Sequence, residues 1–234
     1  MPGRILVTGA SRGLGRALAA ELQRRGHDVL ATARDAEALV DLEAAGKLSL
    51  DVADPSSVAA AVKTAGEIDV LVNNAGITVQ SPVEAIPVEV FSSVLETNLV
   101  GPLRLIQALL PGMRGRGRGT IVNVSSRAVR SAPPLQGPYA SSKAALELLS
   151  EVLRKELAPF GIRVMVIDTG SVRTEMRARQ RRYGGEPYSE LIEQFESRMA
   201  DYDKQGGGSA PEEIAAAIAA LIEQDDPPAL AKIG

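Results

Sequence analysis

The chain has no cysteine and no tryptophan among its 234 residues, and its only histidine is His27. Without cysteine, disulfides, thiolate nucleophiles and thiolate metal ligands are excluded. The sequence offers no His/Cys cluster that could hold a metal, and we expect no metal-dependent chemistry. His27 lies in the turn RRGHDV before a predicted strand. We expect this histidine to lie at the surface, away from any active site.

Aromatic residues make up only 3% of the chain, and the net charge is −3. Proteins that bind nucleic acids usually present a basic field and stacking aromatic side chains. A membrane-spanning helix requires about 20 apolar residues, and no apolar run here approaches that length. The N-terminal run MPGRILVTGA leads directly into an apolar segment without the parts of a secretion signal. We therefore expect a cytoplasmic protein with neither nucleic-acid nor membrane partners.

Short apolar runs alternate with longer, alanine-rich amphipathic segments. Continuous apolar runs are typical of parallel strands that are covered on both faces. The alternation predicts an α/β protein with a three-layer, doubly wound parallel sheet of the Rossmann type. We expect one domain over residues 1–234. The predicted strands are residues 4–8, 28–33, 48–50, 69–73, 120–125 and 163–168, and the predicted helices include 16–25, 55–64, 88–113, 138–159 and 212–224.

The regular alternation of predicted strands and helices ends after Asp168. Residues 171–209 contain an arginine-rich stretch, RTEMRARQRR, that we expect to be helical, and then a second helical stretch. We interpret this segment as a mobile lid over the active site. Its apolar residues either line a substrate pocket or pack on the body of the protein. Its arginines form either a solvated face or a positive field that attracts cofactor phosphates or a carboxylated substrate; they are Arg173, Arg177, Arg179, Arg181 and Arg182.

The run TGASRGLG at residues 8–15 follows the first predicted strand and opens the first helix. In this context a glycine-rich turn indicates dinucleotide binding. Gly9 would permit the tight turn, Gly13 the approach of the backbone to a diphosphate, and Gly15 close packing of helix and strand. Free N–H groups at the helix N-terminus would bind the phosphates. Taken alone the pattern is ambiguous, because glycines also mark purely structural turns.

The end of the second predicted strand bears on the choice of cofactor. NAD-dependent proteins usually place an acidic residue about 20 residues after the glycine turn, where it binds the ribose 2′-hydroxyl. Here Arg34 lies nineteen residues after Gly15, and Arg12 supplies a second cation within the turn. Two guanidinium groups suit a 2′-phosphate, so the sequence predicts NADP(H), with NAD(H) as the alternative. We interpret Asp35 as the N-cap of the next helix.

The run PYASSK at residues 138–143 contains a tyrosine and a lysine at helical spacing. Pro138 suits the first position of a helix, so we expect Tyr139 and Lys143 one turn apart on one face. A phenol has an ordinary pKa of about 10, and a nearby ammonium, together with an oxidised nicotinamide ring, favours the phenolate and lowers that pKa. Such a pair suits acid–base catalysis, although the same spacing also occurs on ordinary solvated helices.

These motifs stand in register with Asp51-Val52, with NNAG at residues 73–76, with Asn98 and with VNVSS at residues 122–126. In this order and at these spacings, the sequence up to about residue 176 resembles the single-domain branch of the short-chain dehydrogenase/reductase family. The resemblance supports the dinucleotide site and the catalytic pair together, because several independent motifs agree.

The resemblance implies a role for each catalytic residue. Tyr139 would be the general acid and base, and Lys143 would hold the nicotinamide ribose and lower the Tyr139 pKa. Ser126, thirteen residues before Tyr139, would hydrogen-bond the substrate oxygen, whereas its neighbour Ser125 would face away. Asn98 would interrupt its helix and hold a water in the proton relay.

The resemblance also implies cofactor contacts. Asp51 and Val52 would border the adenine, residues 74–76 would lie along the ribose, and the segment 170–174 would contact the nicotinamide end. This chain has Thr169 where the family usually has proline, which loosens that turn. The implied cofactor-binding set is Gly9, Ser11, Arg12, Gly13, Leu14, Gly15, Arg34, Asp51, Val52, Asn74, Ala75, Gly76, Tyr139, Lys143, Gly170, Val172 and Thr174.

The activity that the resemblance implies is NADP(H)-dependent interconversion of a small ketone or aldehyde with an alcohol. One alternative is reduction of a thioester-linked substrate of the 3-oxoacyl type. Two non-enzymatic alternatives are an NADP-sensing protein without catalysis and a scaffold without a ligand. The intact Ser126, Tyr139 and Lys143 argue against the former, and the Arg12/Arg34 pair argues against the latter. The family also implies a homodimer or homotetramer that assembles through residues 88–113 and 138–159.

Overall fold

A computed structural model describes residues 3–233; Met1, Pro2 and Gly234 of the expected domain lie outside the described residues. The strands are β1 (Arg4–Val7), β2 (Asp28–Ala33), β3 (Gly46–Ser49), β4 (Val70–Asn73), β5 (Val79–Gln80), β6 (Gly119–Ser125), β7 (Ile162–Asp168), β8 (Arg181–Arg182) and β9 (Leu230–Lys232). Seven of them form one parallel sheet in the order β3-β2-β1-β4-β6-β7-β9, and β5 pairs with β8 in a second, two-stranded sheet.

The helices lie between these strands, as the predicted alternation requires. They are α1 (Gly13–Arg24), α2 (Pro55–Ala65), α3 (Val88–Leu95), α4 (Gly101–Arg116), α5 (Ala128–Ser131), α6 (Gly137–Leu157), α7 (Ser189–Lys204) and α8 (Pro211–Ile222). A π-helical turn, Glu96–Val100, separates α3 from α4. Single 3-10 turns lie at Ala36–Leu39, Val83–Ala85 and Ala158–Phe160. The expected α/β fold is therefore confirmed.

Two apolar cores flank the sheet because successive strand residues point to opposite faces. In β1, Ile5 and Val7 belong to the core that α1 and α8 cover, and Leu6 belongs to the core on the other face, with residues of α2, α4 and α6. All three side chains are fully buried. Covering both faces explains why these strands read as continuous apolar runs rather than as alternating ones.

The order in which strands are added to the sheet reverses next to β1: β2 and β3 lie on one side of it, and β4, β6, β7 and β9 lie on the other. β1 pairs with β2 on one side and with β4 on the other, with Val7 opposite both Ala31 and Val72. In open parallel sheets such a switch point leaves a crevice at the carboxyl ends of the strands, and ligands bind there. The glycine turn at residues 8–15 follows β1 at this point.

The lid differs from its prediction. The expected helix in RTEMRARQRR is wrong: residues 175–179 form turns, and Arg181–Arg182 form β8, which pairs with β5. The stretch is charged on all sides and has no apolar stripe to stabilise a helix. Its backbone instead bonds to other segments, as in the Arg173 amide to Ser209 and the Tyr183 amide to Gln80. The second predicted helix of the lid is confirmed as α7.

Two further expectations were wrong near the ends of the sheet. The short tail after the last predicted helix was given no strand, yet Leu230–Lys232 form β9 at the edge beyond β7. His27 is buried rather than at the surface. Its ring accepts a hydrogen bond from the Gly3 amide and contacts Glu223 at 3.2 Å. His27 precedes β2 at its amino end, opposite the crevice.

Within residues 3–233, no helix combines the length and apolar character needed to cross a membrane. The same residues include no group of three His, Cys, Asp or Glu side chains that could hold a metal ion.

Candidate active site

The glycine turn requires glycine at the predicted positions. Gly9 and Gly13 have φ values of +68° and +54°, a region that other residues rarely adopt. A Cβ on Gly9 would lie 2.9 Å from the Cα of Ala75, and a Cβ on Gly15 would overlap the Gly9 carbonyl and the Asn74 amide. The turn is therefore packed directly against the loop that follows β4.

Thr8 and Asn74 hold these two loops together. The Thr8 hydroxyl accepts hydrogen bonds from the amides of Asn74 and Ala75 at 2.9 and 3.0 Å and donates to the Val72 carbonyl. The Asn74 side chain donates to the Thr8 carbonyl at 2.8 Å. These bonds fix the backbone where the glycine turn meets the NNAG loop, at the switch point of the sheet.

The N-terminus of α1 is suited to bind phosphate. Its N-cap, Arg12, is extended and makes no side-chain capping bond, and the first turn contains no acidic residue. The first N–H groups of a helix have no partner within the helix and favour anions. Leu14 points into the core beneath the turn. The turn thus combines close backbone approach with free donors, and the residues present fit a dinucleotide diphosphate.

Arg12 and Arg34 are both exposed at this end of the sheet. In the described part of the chain, neither guanidinium forms a salt bridge. Asp35 accepts a hydrogen bond from the Glu37 amide at 3.0 Å and caps the 3-10 turn Ala36–Leu39. Its interpretation as an N-cap is confirmed.

Asp51 and Val52 follow β3 in the same crevice. Asp51 accepts a hydrogen bond from the Ala53 amide at 3.0 Å, and its own amide donates to the Ser57 hydroxyl. Val52 is buried against Gly101, where a Cβ would lie 2.8 Å from a Val52 methyl group.

Asn98 interrupts its helix, as the resemblance implied, because it lies within the π-helical turn. Its side chain is fully buried. The side-chain oxygen accepts a hydrogen bond from the Ile77 amide at 2.8 Å, and the Nδ2 group donates to the Ile77 carbonyl at 2.9 Å and to the Ser142 hydroxyl at 3.0 Å. Asn98 therefore joins the NNAG loop to α6, the helix that carries Tyr139 and Lys143.

The structure brings Ser126, Tyr139 and Lys143 together. Tyr139 and Lys143 lie one turn apart on α6, with the Lys143 nitrogen 5.9 Å from the centre of the Tyr139 ring. Lys143 is buried and donates to the Val124 carbonyl at 2.7 Å. Ser126 follows β6, and its side chain lies near enough to the Tyr139 hydroxyl to lower the pKa of that group. A hydroxyl donor, a phenol and an ammonium thus converge beside the crevice.

Burial dominates the protonation of both groups on α6. It lowers the pKa of Lys143 to about 8. Burial also raises the pKa of Tyr139; the neighbouring Ser126 side chain lowers that pKa, and the Asp168 carboxylate raises it. In the protein alone, the pKa of Tyr139 is therefore raised, and not lowered as we expected from the ammonium.

Ser125 faces away from this site, as expected. Its hydroxyl donates to Glu147, which also contacts Arg130. Arg130 reaches Asp168 at 3.0 Å. Sequence reasoning missed the last three residues. The one available signal was the position of Asp168, which ends β7 in register with Ser125.

The segment after β7 returns to the glycine turn. Gly170 has a φ of +63°, and a Cβ on Gly13 would lie 3.1 Å from a carbon of Thr174. Val172 forms a bridge with Ser209 and packs on the core beside α8. The implied nicotinamide segment therefore lies beside the implied diphosphate site.

Most lid arginines have partners. Arg173 donates to the carbonyls of Gly206 and Gly208 at 2.9 Å, and Arg177 pairs with Asp203 at 2.6 Å. Arg179 pairs with Glu175 and Arg182 with Glu196. These partners favour a structural role for the arginines over a field directed at a ligand. A cavity of about 1290 Å³ lies between α1 and the lid, lined by residues that include Gly13, Thr174, Gln180, Phe195 and Met199.

Comparison with known proteins agrees with this geometry. Residues 4–183 match the family model described as short chain dehydrogenase. The chain is 35% identical to the oxidoreductase BOA17 of Botryotinia fuckeliana over 97% of this chain and 87% of that protein. Its fold is similar to that of a short-chain dehydrogenase from Streptomyces avermitilis, with a TM-score of 0.87, 36% identity and coverage of 100% and 89%.

It is also similar to a short chain dehydrogenase from Burkholderia cenocepacia that was solved in complex with NADP, with a TM-score of 0.81, 30% identity and coverage of 100% and 88%. The family model covers most of the chain, and each of the two solved structures aligns with all of it. The chain belongs to the short-chain dehydrogenase/reductase family and is an oxidoreductase that folds around a seven-stranded parallel sheet.

Proposed function

We propose that this protein uses NADP(H) to interconvert a small ketone or aldehyde with the corresponding alcohol. The observation that carries the proposal is the convergence of Ser126, Tyr139 and Lys143 beside the glycine turn. The Ser126 side chain lies near the Tyr139 hydroxyl and lowers its pKa, and Lys143 lies one helical turn away. A site of this kind can polarise a carbonyl oxygen and exchange a proton with it.

Each residue has a distinct part in the reduction. The Tyr139 hydroxyl donates its proton to the carbonyl oxygen, on which negative charge develops, and the Ser126 hydroxyl hydrogen-bonds the same oxygen. When bound, the nicotinamide supplies the hydride to the carbonyl carbon. Lys143 keeps a positive charge next to the Tyr139 ring and favours the phenolate that remains. In the oxidation the proton moves back from the alcohol to Tyr139.

The preference for NADP(H) is supported by Arg12 and Arg34. Both are exposed near the crevice, where a 2′-phosphate would lie if the adenosine borders Asp51 and Val52. A guanidinium group binds phosphate by charge and paired hydrogen bonds. The structural relative from Burkholderia cenocepacia was solved with NADP.

We also propose that the chain forms one domain and assembles as a homodimer or homotetramer. Val88 at the start of α3 is 76% exposed, and Leu148 and Val152 on α6 are 65% and 44% exposed. Apolar side chains on these helices are suited to a subunit contact. Sedimentation analysis of the purified chain tests the oligomeric state.

The experiment that tests the activity follows absorbance at 340 nm with NADPH and a panel of carbonyl compounds. The panel includes simple ketones, aldehydes and 3-oxoacyl thioesters of N-acetylcysteamine, so that the thioester-linked alternative is tested together with the main one. Activity with NADPH on members of the panel supports the proposal. A protein that binds NADPH but reduces none of them would favour a sensing role.

Tyr139→Phe tests the acid–base role. This variant keeps the ring and removes the hydroxyl, so we expect turnover to fall at least about a hundredfold while NADPH binding is retained. Tyr188→Phe is the matched control, because the Tyr188 hydroxyl bonds Glu84 on the exposed side of the lid. Wild-type turnover in Tyr139→Phe would refute the role.

A further inference from the structure

A network of charged side chains lies behind the proposed catalytic residues and takes no part in the proton or hydride steps. Asp168 is its centre and is only 5% exposed. The Oδ1 atom of Asp168 accepts a hydrogen bond from the Gly170 amide at 3.1 Å, and Oδ2 lies 3.0 Å from a guanidinium nitrogen of Arg130. Among residues 3–233, each carboxylate oxygen therefore has one partner, one on the turn after β7 and one on α5.

Arg130 is itself held from a second side. Its NH1 group contacts the two carboxylate oxygens of Glu147 on α6 at 3.2 and 3.1 Å. Glu147 in turn accepts the hydrogen bond from Ser125 at the end of β6. Arginine in a multidentate contact with carboxylates is well oriented. Arg130 of α5 therefore holds the Asp168 carboxylate directly, and Glu147 links Arg130 to α6 and β6.

The Gly170 turn needs such a clamp. Gly170 has a φ of +63°, but glycine visits many conformations at similar cost, so it does not select this one. Thr169 precedes it, and threonine leaves φ free where proline would restrict it. An aspartate that accepts a bond from the amide two residues ahead forms an Asx turn, which does restrict the backbone. The Asp168 side chain is thus the local group that selects the turn.

We propose that Asp168, oriented by Arg130, holds the Gly170 turn in the conformation that receives the nicotinamide half of the cofactor. This inference rests on the proposed function, since it assumes that a dinucleotide occupies the crevice. Asp168 and Arg130 are positioning residues, because both act through the backbone of the turn.

Arg130 also offsets the effect of the buried Asp168 carboxylate on Tyr139. Asp168 raises the pKa of Tyr139, and an uncompensated buried carboxylate would oppose the phenolate needed for oxidation. The Arg130 guanidinium and the Gly170 amide both direct positive charge toward Asp168. The carboxylate can therefore fix the turn while much of its charge is neutralised.

The test compares two ligands by isothermal calorimetry. NADP⁺ contains the nicotinamide half, whereas adenosine 2′,5′-bisphosphate carries the adenosine and its 2′-phosphate without it. For Asp168→Ala we expect the Kd of NADP⁺ to rise about tenfold, as for a lost hydrogen bond to a charged group. The Kd of the bisphosphate should change less than about twofold.

A second experiment restores the restraint on the backbone of the Gly170 turn without the Asp168 side chain, and it discriminates better than the first. Asp168→Ala/Thr169→Pro returns a fixed φ at residue 169, and the preceding strand residue is compatible with a following proline. In the described part of the chain, the Thr169 amide donates to no loop carbonyl, so proline removes no such bond. We expect the double variant to recover most of the lost NADP⁺ affinity. Arg179→Gln, which removes an exposed lid ion pair, is the matched control and should leave both Kd values unchanged.

The outcomes separate the inference from the function on which it rests. Equal weakening of both ligands, unchanged NADP⁺ binding in Asp168→Ala, or no recovery in the double variant would overturn the inference and leave the function intact. If Asp168→Ala does not fold, Arg130→Gln replaces it, with an expected rise of about threefold for NADP⁺ alone. A wild-type chain that binds neither ligand refutes the NADP(H) assignment, and NAD⁺ with ADP then provides the same comparison.

Discussion

Asn98 offers the most direct test of how the site is held together. Its side chain makes three hydrogen bonds, two to the backbone of Ile77 and one to the Ser142 hydroxyl. Asn98→Ala removes all three and leaves the Ile77 amide and carbonyl without these partners. At about 1 kcal/mol for each bond, we expect a loss of about 3 kcal/mol in the free energy of unfolding.

That loss should be visible as a shift in melting temperature. For a chain of this length, 1 kcal/mol corresponds to about 2–4 °C, so Asn98→Ala should melt about 6–12 °C below the wild type. Calorimetry measures the shift, and Ser93→Ala is the control. Ser93 also bonds a backbone carbonyl, that of Val90, but at an exposed position, and its loss should cost less than about 0.5 kcal/mol. Equal shifts for the two variants would refute the argument that Asn98 ties the NNAG loop to α6.

Three further predictions concern the same crevice. Burial lowers the pKa of Lys143 from 10.5 to about 8. Between these pH values the unfolded chain binds a proton that the folded chain does not, so the free energy of unfolding rises with pH. Denaturation of the wild type and of Lys143→Met at pH 8 and pH 10 tests whether the wild type shows this rise and the variant does not. Arg34→Ala should raise the Kd of NADPH at least about tenfold and that of NADH less than about twofold, and equal changes would argue against the 2′-phosphate contact. Gly15→Ala should cost about 1–3 kcal/mol by overpacking. Gly115→Ala has no atom within 4 Å of the added Cβ and lies within α4, so it should lose no stability and gain up to about 1 kcal/mol in denaturation experiments.

The parts of the fold that the sequence predicted well depend on local rules. The strand residues 28–33 were predicted with the observed bounds, because β-branched and apolar residues form a continuous run between a turn and a helix cap. The glycine turn was predicted because positive φ values and close backbone contacts at Gly9 and Gly15 leave few other residues acceptable. Once the strand ends are known, parallel topology brings the residues that follow them to one edge.

The parts that the sequence did not predict depend on distant partners. Arg181–Arg182 form a strand only because Val79–Gln80 offer an edge about a hundred positions earlier. β9 depends in the same way on β7. His27 is buried and contacts Glu223, which comes from the other end of the chain. No local pattern encodes these pairings, and the same holds for the contact between Arg130 and Asp168.

The pairing of β5 with β8 holds one end of the segment that carries α7. The lid is attached at two places: Ser171 and Arg173 bond to Ser209, and Arg181–Arg182 pair with Val79–Gln80. The stretch between Tyr183 and Gly208, which includes α7, is therefore held at both ends by backbone bonds. We expect that a foreign helix of similar length, grafted between these anchors, would alter which molecules enter while leaving the sheet and the glycine turn unchanged. New specificity could then arise by recombination of one short segment.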